Sequence, residues 1–148
     1  MTGKLRELLN RNVATPGLYP ELEFDYTNGH DLSGVTHFRV DGAGRYQLSS
    51  NVTKGRQALS WKGVLGSSDR DALFATLEKH FLDVPSSTRN IGDDEVPILV
   101  TLRLGDLSHS LKIWHGDAVR NGDFHALETQ LVALATRLSG GALLLTAD

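Results

Sequence analysis

Cysteine is missing altogether from this 148-residue chain, and with it go disulfides, thiol nucleophiles and thiolate metal sites. A secreted scaffold stapled by disulfides is thereby excluded. A strong charge of either sign is missing too: 15 Lys and Arg against 18 Asp and Glu leave a formal net charge of -3. Nucleic-acid binding by counterion release needs a basic surface, so nucleic acid is not an expected partner. No apolar run approaches the roughly 20 residues of a membrane span. The opening "MTGKLRELLNRN" carries charges throughout, where a signal peptide would have a continuous apolar region. A cytoplasmic location and no membrane partner are the expectations.

What is present has the composition of an ordinary folded domain, with 40% hydrophobic and 22% charged residues. A chain of this length buries roughly 70% of its unfolded surface, which needs no metal or disulfide staple. No linker, repeat or low-complexity segment divides it. One domain over residues 1–148 is expected, with an N-terminal helix and lead-in over 1–19, a core over 20–139 and an apolar tail over 140–148.

The period of the apolar residues sets the elements. Leu5, Leu8 and Leu9 have helical spacing, and Pro16 lies beyond the end of that helix. "ELEFDYT" then alternates, with Leu22, Phe24 and Tyr26 on one side and Glu23 and Asp25 on the other. "THFRV" and "RYQLSSNV" repeat the alternation through Phe38, Val40, Tyr46 and Leu48. A fourth strand over about 57–65 places Leu59 and Trp61 inside and Ser60 and Lys62 outside. At "GSSDRDALFATLEKHFLDVP" the period changes to that of a helix, with Leu73, Phe74, Leu77, Phe81 and Val84 in one stripe. Ser67 or Ser68 is its expected cap and Pro85 its end.

"VPILVTLRLG" and "SHSLKIWH" form a second hairpin about a "GDL" turn. "DFHALETQLVALATRLSGG" closes the order with a leucine-rich helix, capped by Asp123 and stopped at Gly140 or Gly141. The expected fold class is α+β: a single antiparallel sheet of about six strands with helices packed on one face, in the order α-β-β-β-β-α-β-β-α.

Taken in order, "FRVDGAGRY", the helix ending in "HFLDVP", "VPILVTLRLG" and the closing helix resemble an uncharacterised family of small bacterial α+β domains, some of them lipid-anchored. The likeness spans about residues 36–138 and lies in turns and core positions. It implies the fold and carries no site residues. Without cysteine, this chain departs from the lipid-anchored members.

Candidate chemistry is sparse. "DGAG" at 41–44 joins two strands and lacks the lysine and hydroxyl of a phosphate loop, so it reads as a hairpin turn. The six histidines, His30, His37, His80, His109, His115 and His125, show no metal-ligand spacing, and no metal or other cofactor is expected. "GHD" at 29–31 and "HGD" at 115–117 set histidine near aspartate, and a small hydrolase using His115 and Asp117 is one reading. "GDDE" at 92–95 reads as a solvated loop. The run Leu143, Leu144, Leu145 must fold back or pair as an edge strand.

The outward sheet face is the more informative feature. Alternation places Arg39, Lys62, Arg103, Lys112 and Trp114 on it, interspersed with Ser49, Ser60 and Thr101, and Glu23 and Asp25 add opposite charge. Such a face suits a partner protein that is acidic at the contact surface, with Trp114 as the anchor. With no coherent catalytic set, the leading expectation is a noncatalytic interaction module: an adaptor, accessory subunit or inhibitor. An immunity-type protein that neutralises a toxin is a further reading.

Overall fold

Helix α1 (Thr2–Ala14) buries Leu5, Leu8 and Leu9 on one side in the computed structural model, which describes residues 2–15, 17–30, 34–87 and 97–143. Four strands follow: β1 (Glu23–His30), β2 (Gly34–Asp41), β3 (Arg45–Ser50) and β4 (Leu59–Val64). Helix α2 (Ser67–His80) leads to the hairpin of β5 (Pro97–Leu104) and β6 (Leu107–Trp114). A single turn, α3 (His115–Ala118), and the long helix α4 (Gly122–Leu138) complete the order.

All six strands join one antiparallel sheet in the order β4-β3-β2-β1-β5-β6. The hairpins put β2, β3 and β4 side by side, while β1 turns its second edge to β5. This is the α+β architecture that the alternation implies. Phe24 and Tyr26 of β1, Phe38 and Val40 of β2 and Val100 and Leu102 of β5 face the helices, and one buried cluster runs from Leu5 to Leu143. Pairing a residue with its neighbour on the next strand keeps facing side chains on one side of the sheet. The polar members of each alternating strand therefore share the other side, which no helix covers among the described residues.

The β2–β3 turn shows why "DGAG" needs both glycines. Gly44 has φ +92°, and Asp41 Oδ1 accepts from the amides of Ala43 and Arg45 at 2.9 and 3.0 Å. Gly42 serves a close backbone approach instead: its amide donates to Leu22 O at 2.8 Å, and a Cβ there would lie 1.8 Å from Tyr19 O. The buried Asn12 donates to Gly42 O at 3.0 Å and accepts from Tyr19 N at 3.0 Å, which ties α1, the lead-in and this turn together.

Expectations for three elements, β4, α2 and the cap of α4, change. On β4, Leu59 is 36% exposed and Trp61 only half-buried, because the helix layer stops short of this outermost strand. Gly66, rather than a serine side chain, precedes α2, and the helix ends at His80, before Pro85. Asn121 caps α4 by accepting from Phe124 N at 2.9 Å, while Asp123 lies 2.7 Å from His80 Nδ1 and links the two helices. Leu143 folds back, 4% exposed, to bridge Thr53. The remainder of the apolar tail, residues 144–148, lies outside the described residues, as do the "GDDE" loop and Asp31.

Candidate interaction face

The uncovered face is organised by the central strand. Glu23, Asp25 and Thr27 alternate outward from β1, and the register sets Asp25 opposite Arg39 and Thr101, and Glu23 opposite Arg103. Their side chains meet. Arg39 Nη2 is 3.0 Å from Asp25 Oδ2, Arg39 Nε is 3.2 Å from Glu23 Oε1, and Arg103 Nη2 is 2.8 Å from Glu23 Oε2. Arg45 Nε makes a further pair with Asp41 at 2.6 Å. The hydrogen bond and charge of Asp25 push the Arg39 guanidinium further above its ordinary value.

This pattern corrects the simple picture of a cationic platform. Arg39 and Arg103 are each held by carboxylates of β1, so the middle of the face is a row of alternating charge with little net sign. Exposed pairs of this kind contribute about 0.2–1 kcal/mol each to stability. Their larger consequence is to bias the guanidinium groups toward positions above β1, beside Glu23 and Asp25.

Lys62 differs. It faces Gln47 across the β3–β4 pair, and among the described residues no carboxylate lies within ion-pair reach of it. A groove of about 760 Å³ opens beside it, walled by Pro20 and Glu21 from the lead-in and by Arg39, Arg45, Lys62 and Val64 from the strands. A smaller depression of about 210 Å³ lies over the charge row itself, between Glu23, Asp25, Arg39, Thr101 and Arg103. Arg39 and its ion-pair partner Glu23 border both, which places this pair to contact anything lying across this half of the face.

The other end of the face is closed. Trp114 is only 7% exposed and so is not the protruding anchor expected of it. The segment after α2 runs along this edge: Ser87 N donates to Lys112 O at 2.8 Å, Lys112 N donates to Ser86 Oγ at 3.1 Å, and Trp114 N donates to Ser87 Oγ at 3.1 Å. Lys112 Nζ lies 4.8 Å from the centroid of the Trp114 ring, a cation–π contact that draws the ammonium inward. The structure thus brings Arg39, Arg103 and Lys62 to one accessible region and leaves Trp114 packed at the far edge, with Lys112 exposed beside its ring.

Asp117, beside that edge, accepts from Ser87 Oγ at 2.6 Å, and its partner in the hydrolase reading, His115, opens the α3 turn. Neither residue lines either of the two depressions. Elsewhere the helix-covered side holds a buried polar group that the reading of α4 as a leucine stripe overlooks. Glu128 is 1% exposed and accepts from Tyr26 Oη at 3.4 Å, while Tyr26 Oη accepts from Asn28 Nδ2 at 2.9 Å. Burial first, then the Glu128 charge, pushes the Tyr26 phenol far above its ordinary value. Glu128 stands four residues after Phe124 and three before Leu131, so its inward position was signalled by spacing.

Neither a family model nor a curated protein matches the chain. Among the described residues no helix is long and apolar enough to cross a membrane.

Proposed function

We propose that this chain is a noncatalytic, cytoplasmic protein-interaction module, an adaptor, accessory subunit or inhibitor that binds another protein across the half of its open sheet face bordered by Arg39, Arg103 and Lys62. The observation that carries the reading is the pre-positioned charge row beside a groove of about 760 Å³. Guanidinium groups already biased toward these positions lose less side-chain entropy on binding, and alternating charge selects a partner of matching pattern. The partner's contact is acidic where it meets Lys62, the cation that lacks an intramolecular carboxylate among the described residues.

The test compares tagged wild-type chain with Arg39→Glu, Lys62→Glu and the double variant in affinity purification from the native cell, followed by mass spectrometry. A protein recovered with the wild type and lost with the double variant supports the reading. Equal recovery with all variants, at unchanged melting temperature, rejects the sheet face as the binding surface.

A further inference from the structure

The two edges of the sheet are treated differently. At β6 the amides of Lys112 and Trp114 and the carbonyl of Lys112 are taken up by Ser86 and Ser87. At β4 no strand lies outside among the described residues, and the whole strand is exposed apart from the half-buried Trp61.

The direction of the β4 backbone follows from one hydrogen bond. Leu65 N donates to Gly44 O at 2.8 Å, so Leu65 turns its amide inward, toward β3. Backbone groups of successive strand residues point to opposite edges. Gly63, Trp61 and Leu59 therefore also point inward, and Ser60, Lys62 and Val64 present their N–H and C=O groups outward. Beside these groups stand Val64, 67% exposed, and Leu59. An open ladder with apolar side chains along it is a template for another strand.

We propose that β4 pairs with β4 of a second copy of this chain, in an antiparallel, two-fold symmetric register that sets Trp61 opposite Trp61. In that register Ser60 and Val64 pair with Lys62 and Ala58 of the second copy through the outward backbone groups. On the open face each Lys62 faces a serine. On the helix side the two Trp61 rings meet at the close, non-hydrogen-bonded position, and each Leu59 lies over the Cβ-less Gly63 of its mate. Moving the centre one residue toward the C-terminus sets Lys62 opposite Lys62, which like-charge repulsion disfavours, and moving it one residue the other way loses the fit of Leu59 over Gly63. Because the helix layer stops short of β4, the two helix layers do not meet at the seam.

At β6 the end of the edge at Lys112 and Trp114 is already taken up by Ser86 and Ser87, which shortens the stretch left for pairing there and favours β4 as the seam. The seam also brings the two grooves bordered by Lys62 and Val64 to either side of the two-fold axis.

Sedimentation equilibrium of the full chain, without any partner, tests this apart from the proposed function. A six-residue seam is small beside the ~1,200–2,000 Å² of a stable interface, so a dissociation constant on the order of 10–100 µM is expected. Lys62→Pro removes an outward amide that β3 does not use and leaves a monomer. Ser60→Lys sets lysines face to face across the seam and weakens association at least tenfold, and combining it with Lys62→Glu restores the dimer through opposite charges. A wild type that stays monomeric up to about 1 mM overturns the proposal. So does a dimer indifferent to both Ser60→Lys and Lys62→Pro, with circular dichroism confirming that the variants are folded.

Discussion

Arg39 and Asp25 sit directly opposite one another on β2 and β1, and their side chains meet at 3.0 Å above the sheet face that carries the outward polar residues. Glu23 also reaches Arg39 and joins it to Arg103 two strands away. Because these groups are exposed to water and salt, the row is expected to matter little for folding. Arg39→Ala and Asp25→Asn should each change unfolding free energy by less than about 1 kcal/mol in urea titrations. The Arg39–Asp25 coupling from a double-mutant cycle should be about 0.2–1 kcal/mol and shrink in 1 M salt. A loss of several kcal/mol would make the row a folding element, leaving no reason to assign it to recognition.

Gly42 and Gly44 separate by mechanism. A methyl group at Gly42 collides with Tyr19 O, a backbone atom that cannot rotate away, and also disturbs the bonds to Leu22 and Asn12. Gly42→Ala should destabilise by at least the 1–3 kcal/mol of an overpacked site. At Gly44 the neighbouring atoms belong to the flexible Arg70 side chain, so the cost of alanine comes mainly from φ +92° and should be about 1–2 kcal/mol. Denaturant midpoints of the two variants, compared at equal slope, check the order.

The caps of the two long helices give a similar contrast. Asn121→Ala removes the acceptor for Phe124 N and should cost about 1 kcal/mol. Ser67→Ala and Ser68→Ala should be close to neutral, since neither side chain caps α2. Thermal melts of the three variants distinguish them.

Why those caps were misassigned shows which parts of the molecule the sequence makes legible. Strand alternation records a buried side against a wet one, and it placed Phe24, Phe38, Val100 and the charged residues Arg39, Lys62 and Arg103 on their observed sides. The cap of α4 depends instead on which of Asn121 and Asp123 bends back to the first turn, a matter of two residues along similar polar sequence. Trp114 and Leu59 were misread for a longer-range reason. Alternation gives the side of the sheet, whereas burial depends on what crosses it: the serine segment runs along one edge near Trp114, and among the described residues no helix reaches Leu59 at the other. The pairing of Arg39 with Asp25 and Glu23 was equally hidden, because it needs the register between β1 and β2 as well as the direction of each strand.

His109 supplies a pH dependence with a defined sign. Its ring packs edge-on against Phe81 at 5.1 Å between centroids, on the helix-covered side opposite Leu102, and its Nε2 is buried without a hydrogen-bond partner among the described residues. Burial pushes its pKa below the ordinary 6.5, and the nearby Asp83 charge only partly opposes that shift. The unfolded chain therefore takes up the proton first as the pH falls. This contribution to stability is complete above about pH 6.5 and declines below it, down to the lowered value in the folded state. His109→Leu keeps the packing against Phe81 and has no proton to bind, so its denaturation midpoint between pH 7.5 and 5.5 should fall less steeply than that of the wild type. Parallel midpoints for the two proteins across that range would mean that His109 titrates as it does in water, and that the ring is not enclosed as the geometry requires.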